Sequence, residues 1–541
     1  MLVVVASGRG SEAEHWRAEA ERLAADNARL EAENAALRSR VAELESQVVA
    51  LSEKVATLAK LIFGDSTEKK TPAQPAMSDD AEHREGGQRR RRGQQPDSTG
   101  HGRRDYSGLE TEEEIHDVDE GARVCPECGA PYVAFGEETS EQIDWQVRII
   151  RIVHRRKTYR RTCRCSLPGV LVAPVVPKPI PKGLFTARFL ARLVVDKYVL
   201  GRPLERIVAS LGNDGLGVAK GTLVGCLQAL SALLAPLDAA IRARNAEAGH
   251  LHVDETSWRV FEEVANKENH RWWLWTFVGP DTVCFLIDPT RSTKVATNHL
   301  GIDMEAGSLA EDRHLLVSSD FFTVYQSLAT IEGVDPLWCW AHIRRYFIRA
   351  ADAHTELKPW TERWLVRIGA LYAAHRAFGT AEAPSPESDR AAADFTAALG
   401  AIDTARRAEM VDEALHPAAR KVLATLDHEW EGLARHGELL ELALDNNASE
   451  RALRNPVVLR KNCYGSGSVW AATLAARVWT ITATAARAGC NPLTYLTSYL
   501  DACATAGGRA LSGAALEAFL PWAAGDDRLA RWQETPSGPA R

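Results

Sequence analysis

Leu251-His-Val-Asp254-Glu-Thr-Ser-Trp258, Arg271-Trp-Trp-Leu-Trp-Thr-Phe-Val278 and Val283-Cys-Phe-Leu-Ile287 are three short runs rich in apolar and aromatic residues. Their alternation, their β-branched and aromatic content and the short connections between them predict three strands joined as an antiparallel meander. Downstream, Arg291 to Leu300 reads as a polar helical piece and His314-Leu-Leu-Val-Ser-Ser-Asp320 as a fourth strand. An apolar helical pattern from Tyr325 to Ile331 and another short strand, Leu337-Trp-Cys-Trp340, come next, and a helix follows.

The order β-β-β-α-β-α-β-α predicts a mixed sheet flanked by helices, a ribonuclease-H-like arrangement. In such a sheet an acid on the first strand and an acid at the end of the fourth stand side by side, and Asp254 and Asp320 hold those positions. A third acid must come from a later helix, and Asp445-Asn-Asn-Ala-Ser-Glu450-Arg-Ala-Leu-Arg454 offers Glu450. Three convergent carboxylates suit a pair of Mg2+ (or Mn2+) ions, which prefer hard oxygen ligands. Each acid also has a plain structural reading. Asp254 and Asp320 could be turn acids at strand ends, and Glu450 could be the capping-box partner of Asn447, three residues before it.

The flanks predict a multidomain α/β chain. Its 541 residues carry 65 Lys plus Arg against 72 Asp plus Glu, a net charge of −7, so any nucleic-acid contact must rest on local charge. No uninterrupted run of about 18 apolar residues is present, so no membrane partner is expected. The opening Met1 to Ala6 is too short for a secretory signal, and ten cysteines in 541 residues do not make a disulfide framework, which points to the cytoplasm. Residues 12–63 predict a coiled coil: leucines recur at Leu23, Leu30, Leu37, Leu44, Leu51 and Leu58, with Asn27, Asn34, Val41, Val48, Val55 and Ile62 at the a positions. β-Branched a residues with leucine at d favour a parallel dimer, and two a-position asparagines fix its register. Residues 64–108, with Arg89 to Arg92, read as a basic flexible linker.

Residues 109–173 read as a small zinc-ribbon-like segment. Cys125-Pro-Glu-Cys128 is a zinc-knuckle spacing, and Cys163-Arg-Cys165 would supply the other two thiolates, with His154 as a substitute ligand. Between them, Arg148 to Arg164 holds eight Lys or Arg and no acid, a candidate DNA face that includes Arg156 and Arg160. A Pro-rich connector, Pro174 to Pro181, leads to a helical region at 182–245, in which Gly217 to Leu227 resembles half of a helix-turn-helix. The catalytic core is expected at 246–486, with a helical insertion at 350–444, and a helical tail at 487–541. Cys339-x-x-His342 lacks a second pair nearby, so packing for Cys339 and hydrogen bonding for His342 are expected. Arg344, Arg345, Arg451, Arg454, Arg460 and Lys461 are candidates to hold DNA phosphates near the acids.

Val253-Asp-Glu-Thr-Ser-Trp258, Ser319-Asp-Phe-Phe-Thr-Val-Tyr325, Cys339-Trp-Ala-His-Ile-Arg-Arg-Tyr-Phe347 and Asn446-Asn-Ala-Ser-Glu-Arg-Ala-Leu-Arg454 resemble the transposases of the bacterial insertion-sequence-66 family. The resemblance covers most of the chain. It extends from Leu61-Ile-Phe-Gly64 through the cysteine segment to Arg460-Lys-Asn462 and Asn491-Pro-Leu-Thr-Tyr-Leu496. It implies a DDE triad of Asp254, Asp320 and Glu450, cleavage at insertion-element ends and joining to target DNA. It also implies terminal-repeat and target DNA as partners, element-encoded accessory proteins and association with the nucleoid. Two departures stand out: one residue rather than two between the last cysteines, and Phe321 where many relatives have Gly. A decayed copy that only binds element ends is the alternative, and the presence of all three acids favours the enzyme.

Overall fold

The computed structural model describes residues 170–302 apart from 266 and 268, then 308, 309 and 313–533. Before these it describes parts of 111–162 and, earlier still, only Arg22 and Arg29, both helical. Apart from Arg22 and Arg29, the predicted coiled coil therefore lies outside the described residues, as do the linker, Cys163 and Cys165. The chain divides into two compact units, Met1–Thr139 and Ser140–Arg541. In the first, Cys125 and Cys128 stand on one tight turn. Cys125 N–H donates to Ala130 O (2.8 Å) and Gly129 N–H to Cys125 O (2.9 Å), with Gly129 at φ +75°, a conformation that favours glycine.

The second unit starts with an exposed antiparallel pair, β1 (Thr158–Arg160) and β2 (Val170–Val172). Helices α1 (Ala187–Val194), α2 (Leu204–Asn213) and α3 (Lys220–Ala246) follow, α1 running on into a π-helical turn, Val195–Val199. Next come β3 (His250–Arg259), β4 (Arg271–Val278), β5 (Val283–Asp288), α4 (Thr293–Leu300), β6 (Leu315–Ser319), α5 (Thr323–Leu328), β7 (Val334–Trp338) and α6 (Trp340–Ala353). The sheet order is β5-β4-β3-β6-β7, with β3, β4 and β5 antiparallel and β6 and β7 parallel to β3. The last strand corrects the expectation. It starts at Val334 and ends before Trp340, which opens α6, because Pro336, lacking an N–H, hides a strand that lies at the sheet edge. The apolar helix expected over 325–331 is likewise shorter and earlier, at Thr323–Leu328.

Both sheet edges are covered by chain that comes later. Helix α12 (Val469–Arg487) lies along β5, where the Thr484 and Thr480 hydroxyls accept the N–H groups of Val283 (3.0 Å) and Phe285 (2.9 Å). Such capping hides an edge that would otherwise pair with another chain. On the other side, helices α7 (Lys358–Thr380), α8 (Pro386–Met410), α9 (Pro417–His428) and α10 (Trp430–Ala434) lead back to β7. There Arg435 donates to Pro336 O (3.0 Å) and His436 Nε2 to Trp338 O (3.1 Å). A Cβ on Gly432 would stand 2.4 Å from the Trp338 ring, so this close approach requires glycine.

Helix α3 is long and apolar enough to cross a membrane by length and composition. Here Leu223, Leu227, Leu230, Leu234, Leu237 and Ile241 are buried in the same core as the sheet, and α3 packs on α12 and β5. The helical region at 182–245 thus shares the sheet's core. The rest of the chain forms α11 (Asn447–Cys463), which precedes α12, and then α13 (Pro492–Thr505), α14 (Gly513–Glu517) and α15 (Asp526–Gln533).

Candidate active site

Asp254 stands in the middle of β3, opposite Thr276 of β4, and Asp320 follows the last residue of β6. Side chains alternate along a strand, so His252, Asp254 and Thr256 share one face of the sheet. That face meets α11, which carries Glu450. The Asn446 amide donates to Val253 O (2.8 Å) and its oxygen lies 3.2 Å from His252 Nδ1. One helix length away, Arg460 donates to Thr256 Oγ1 (3.0 Å) and to the Ser257 carbonyl. Past α11, Ser466 N–H bonds Arg259 O (2.9 Å) and the Trp258 indole donates to Ser466 Oγ (3.1 Å). Helix α11 with its N-cap and the turn after it is therefore tied to β3 at three levels, which fixes the rise and rotation of Glu450.

The charges of Asp320 and Glu450 both act on Asp254. Burial pushes the Asp254 carboxyl up to about 8, and the charges of Glu255, Asp320 and Glu450 push in the same direction, against a hydrogen bond from the Glu255 N–H (2.8 Å). His342 on α6 feels both Asp320 and Glu450, although burial and Arg345 hold its pKa below the usual imidazole value. Among the described residues neither Asp254 nor Asp320 has a cationic partner within ion-pair distance, and Glu450 has only Arg345 at 4.0 Å. Three carboxylates with almost no compensating cation form a hard-oxygen donor set that fits divalent metal ions.

The raised Asp254 value has a stability consequence. An unfolded Asp titrates near about 3.9, so between about pH 4 and 8 the folded state holds a proton that the unfolded state has lost. Stability of the metal-free protein therefore falls as pH rises through that window. Asp254→Asn removes this liability and should raise the metal-free melting temperature more at pH 8 than at pH 5. Melting curves at the two pH values check this, and equal shifts at both would contradict it.

A scan against family models matches residues 182–474, just over half of the chain, to the model described as Transposase IS66 family. The chain belongs to the IS66 family of transposases. Membership implies DNA transposition, DNA binding and use of divalent metal. The IS66-family chain is also similar to curated proteins of Sinorhizobium fredii that are themselves uncharacterized. One, y4qI, is 28% identical over 429 residues, covering 76% of this chain and 75% of the relative. Another, y4jD, is 24% identical over 430 residues, covering 75% of this chain and 79% of the relative.

In this IS66-family protein, several expectations change. The capping box between Asn447 and Glu450 does not form. Asn446 is the N-cap of α11 and makes no side-chain cap bond, which leaves Glu450 free of that role. Arg460 Nη1 is bound to Thr256 Oγ1 and the Ser257 carbonyl of β3. Arg344 and Arg345 are half-buried on α6, whereas Arg451, Arg454 and Lys461 are exposed on α11. On β1 Arg160 is exposed, but Arg156 Nε is held by Ala173 O (2.7 Å). Cys339 packs as expected, buried and accepting from Asn446 N–H at 3.3 Å. The His342 ring makes no expected bond through Nδ1, which is buried without a partner among the described residues. Phe321 fills an aromatic group with Trp338, His342 and Tyr346.

Sequence reasoning missed Asn446, Glu255, Arg291 and Tyr325 as parts of the site, although Asn446, Glu255 and Tyr325 lie within the motifs that carry the family resemblance. It also missed His354, Glu356 and His416, whose ligand atoms lie within 4.8 Å of one another. His416 Nδ1, however, already accepts Ala418 N–H (3.1 Å) as the cap of α9, which accounts for that histidine structurally.

Proposed function

We propose that this chain is a DDE transposase whose ribonuclease-H-like core, β3 to α6 with α11, cleaves phosphodiesters at insertion-element ends and joins them to target DNA. The supporting observation is that acids from β3, the end of β6 and α11 lie close enough for Asp320 and Glu450 to raise the Asp254 pKa. Asp254, Asp320 and Glu450 would hold the divalent ions, Mg2+ or Mn2+. Bound there, such ions supply activation of the attacking oxygen and stabilisation of the leaving one. In cleavage, a water oxygen bonds to phosphorus and the bond from phosphorus to the 3′ oxygen breaks. In joining, the freed 3′-hydroxyl oxygen bonds to a target phosphorus and a target 3′ oxygen leaves. The chain's own work is positioning. Arg451, Arg454 and Lys461 on α11, with Arg344 and Arg345 on α6, would hold phosphates beside the carboxylates, and Arg156 and Arg160 would contact DNA further out. The test is Mg2+-dependent nicking of a duplex that carries the element's ends.

Two further assignments go with this reading. Residues 12–63 would pair two chains as a parallel coiled coil, bringing two element ends together. Cys125 and Cys128 would hold half of a zinc site that Cys163 and Cys165 complete. The turn around Cys125, whose thiol is held below the usual range by hydrogen bonds from backbone and side chain of Cys128 and from the Glu127 backbone, supports the zinc half. Sedimentation and elemental analysis of purified protein test both together. We expect a dimer that becomes monomeric when 1–62 are deleted, and about one zinc per chain that is lost in Cys125→Ser. An unchanged oligomer after deletion, or no zinc, would remove the corresponding assignment. Such a protein would work in the cytoplasm on nucleoid DNA, with element-encoded accessory proteins as further partners.

A further inference from the structure

Beneath the acids, on the opposite face of β3 from α11, lies a charged group that the proposed chemistry does not use. The Glu255 side chain is only 3% exposed, yet it is fully engaged. It accepts the Tyr325 hydroxyl on one oxygen, and on the other Arg291 Nε (2.8 Å) and Nη2. The Arg291 guanidinium in turn lies over the Phe322 ring, 3.5 Å from its centroid, and over the Trp273 ring at 4.5 Å. Glu255 N–H donates to Asp254 Oδ1 (2.8 Å), and Phe322 N–H donates to Asp320 Oδ1 (3.0 Å). Asp254 and Asp320 are thus each oriented by the backbone of a residue whose side chain is gripped by the same arginine.

We propose that Arg291, Glu255 and Tyr325 form a positioning clamp that sets the separation and orientation of Asp254 and Asp320 for binding divalent metal. The inference rests on the catalytic reading above and adds residues to it. The carboxylate of this pair is buried and the guanidinium half-buried, and such an ion pair is a poor source of net stability but a good source of fixed geometry. Arg291 suits that role because a planar guanidinium stacks on aromatic faces while its fork bonds a carboxylate, which a lysine does not do. Glu255 points away from the α11 face, so it orients the aspartates without binding the metal itself.

The test uses full-length protein and measures Mn2+ binding by the loss of free Mn2+ signal in electron paramagnetic resonance, together with the Mg2+ dependence of nicking. Groups that orient metal ligands typically affect affinity by about 10–100-fold. Arg291→Met should therefore raise the half-saturating metal concentration about tenfold or more, while the rate at saturating Mg2+ stays within about threefold of wild type. Arg291→Lys, which keeps the charge and loses the planar stack, should fall between. Tyr325→Phe removes one hydroxyl without changing shape and should shift half-saturation by a few-fold; it carries the test if Arg291→Met does not fold. Asp254→Asn is the reference. If it binds Mn2+ like the wild type, the catalytic reading itself fails. If it loses Mn2+ while Arg291→Met or Tyr325→Phe, folded by circular dichroism, keeps wild-type half-saturation, the clamp is overturned and the catalytic reading stands.

Discussion

Asp254→Asn, Asp320→Asn and Glu450→Gln are each expected to abolish cleavage of an end-bearing duplex, lowering the rate by about a thousandfold or more. Binding to the same duplex should stay within a few-fold. Each amide is nearly the size of the acid it replaces, so the contacts of β3 and α11 persist, including those of Asn446 to Val253 and Arg460 to Thr256. What is lost is one negative oxygen donor from a set of three. The exposed cations on α11 that would hold phosphate are untouched, and that is why binding and chemistry should separate. Gel-shift and nicking assays on the same preparations measure both. Glu450→Gln that cleaves at the wild-type rate would remove the helix acid from the site.

Trp479→Ala should be the most damaging substitution away from the acids, costing about 3–5 kcal/mol of stability. Its ring meets Trp258 of β3 (5.4 Å), Phe285 of β5 (6.0 Å) and Tyr198 of the π-helical turn (6.4 Å) edge-on, and its indole N–H donates to Tyr198 O (3.0 Å). Removing it opens a cavity between sheet, α12 and the first helices, and orphans a buried carbonyl. Denaturant titration checks the value. A loss below about 1 kcal/mol would mean that this junction repacks easily and that the two regions do not share a rigid core.

The sheet was legible in the sequence because its signals are local. Alternation in Leu251 to Trp258 and the aromatic run from Arg271 to Val278 set strand type within a residue or two, and the element order then placed Asp254 and Asp320. Glu450 was legible for a different reason: a third acid was required, and the Asn446 to Arg454 motif offered one. What could not be read were contacts between residues far apart in sequence. Nothing near Thr480 or Thr484 announces that their hydroxyls cap β5, about 200 residues earlier. Asn446 looks like an ordinary helix cap, yet its amide is spent on Val253 O. Arg460, next to Lys461, reads as surface charge until its bonds to Thr256 and Ser257 are seen. Pro336 disguised an edge strand, since proline within a strand pattern usually argues against one.

On the reading proposed above, Asp254, Asp320 and Glu450 form one metal-dependent centre for phosphodiester chemistry. The most direct measurement incubates purified protein with a duplex carrying the element's terminal sequence and maps the 3′ ends produced. A nick at the element boundary is expected with Mg2+ or Mn2+, none with chelator, and none with Asp254→Asn under either metal. Specific binding of the ends with no nick under either metal would contradict that reading and leave the chain as a DNA-binding protein that has lost its chemistry.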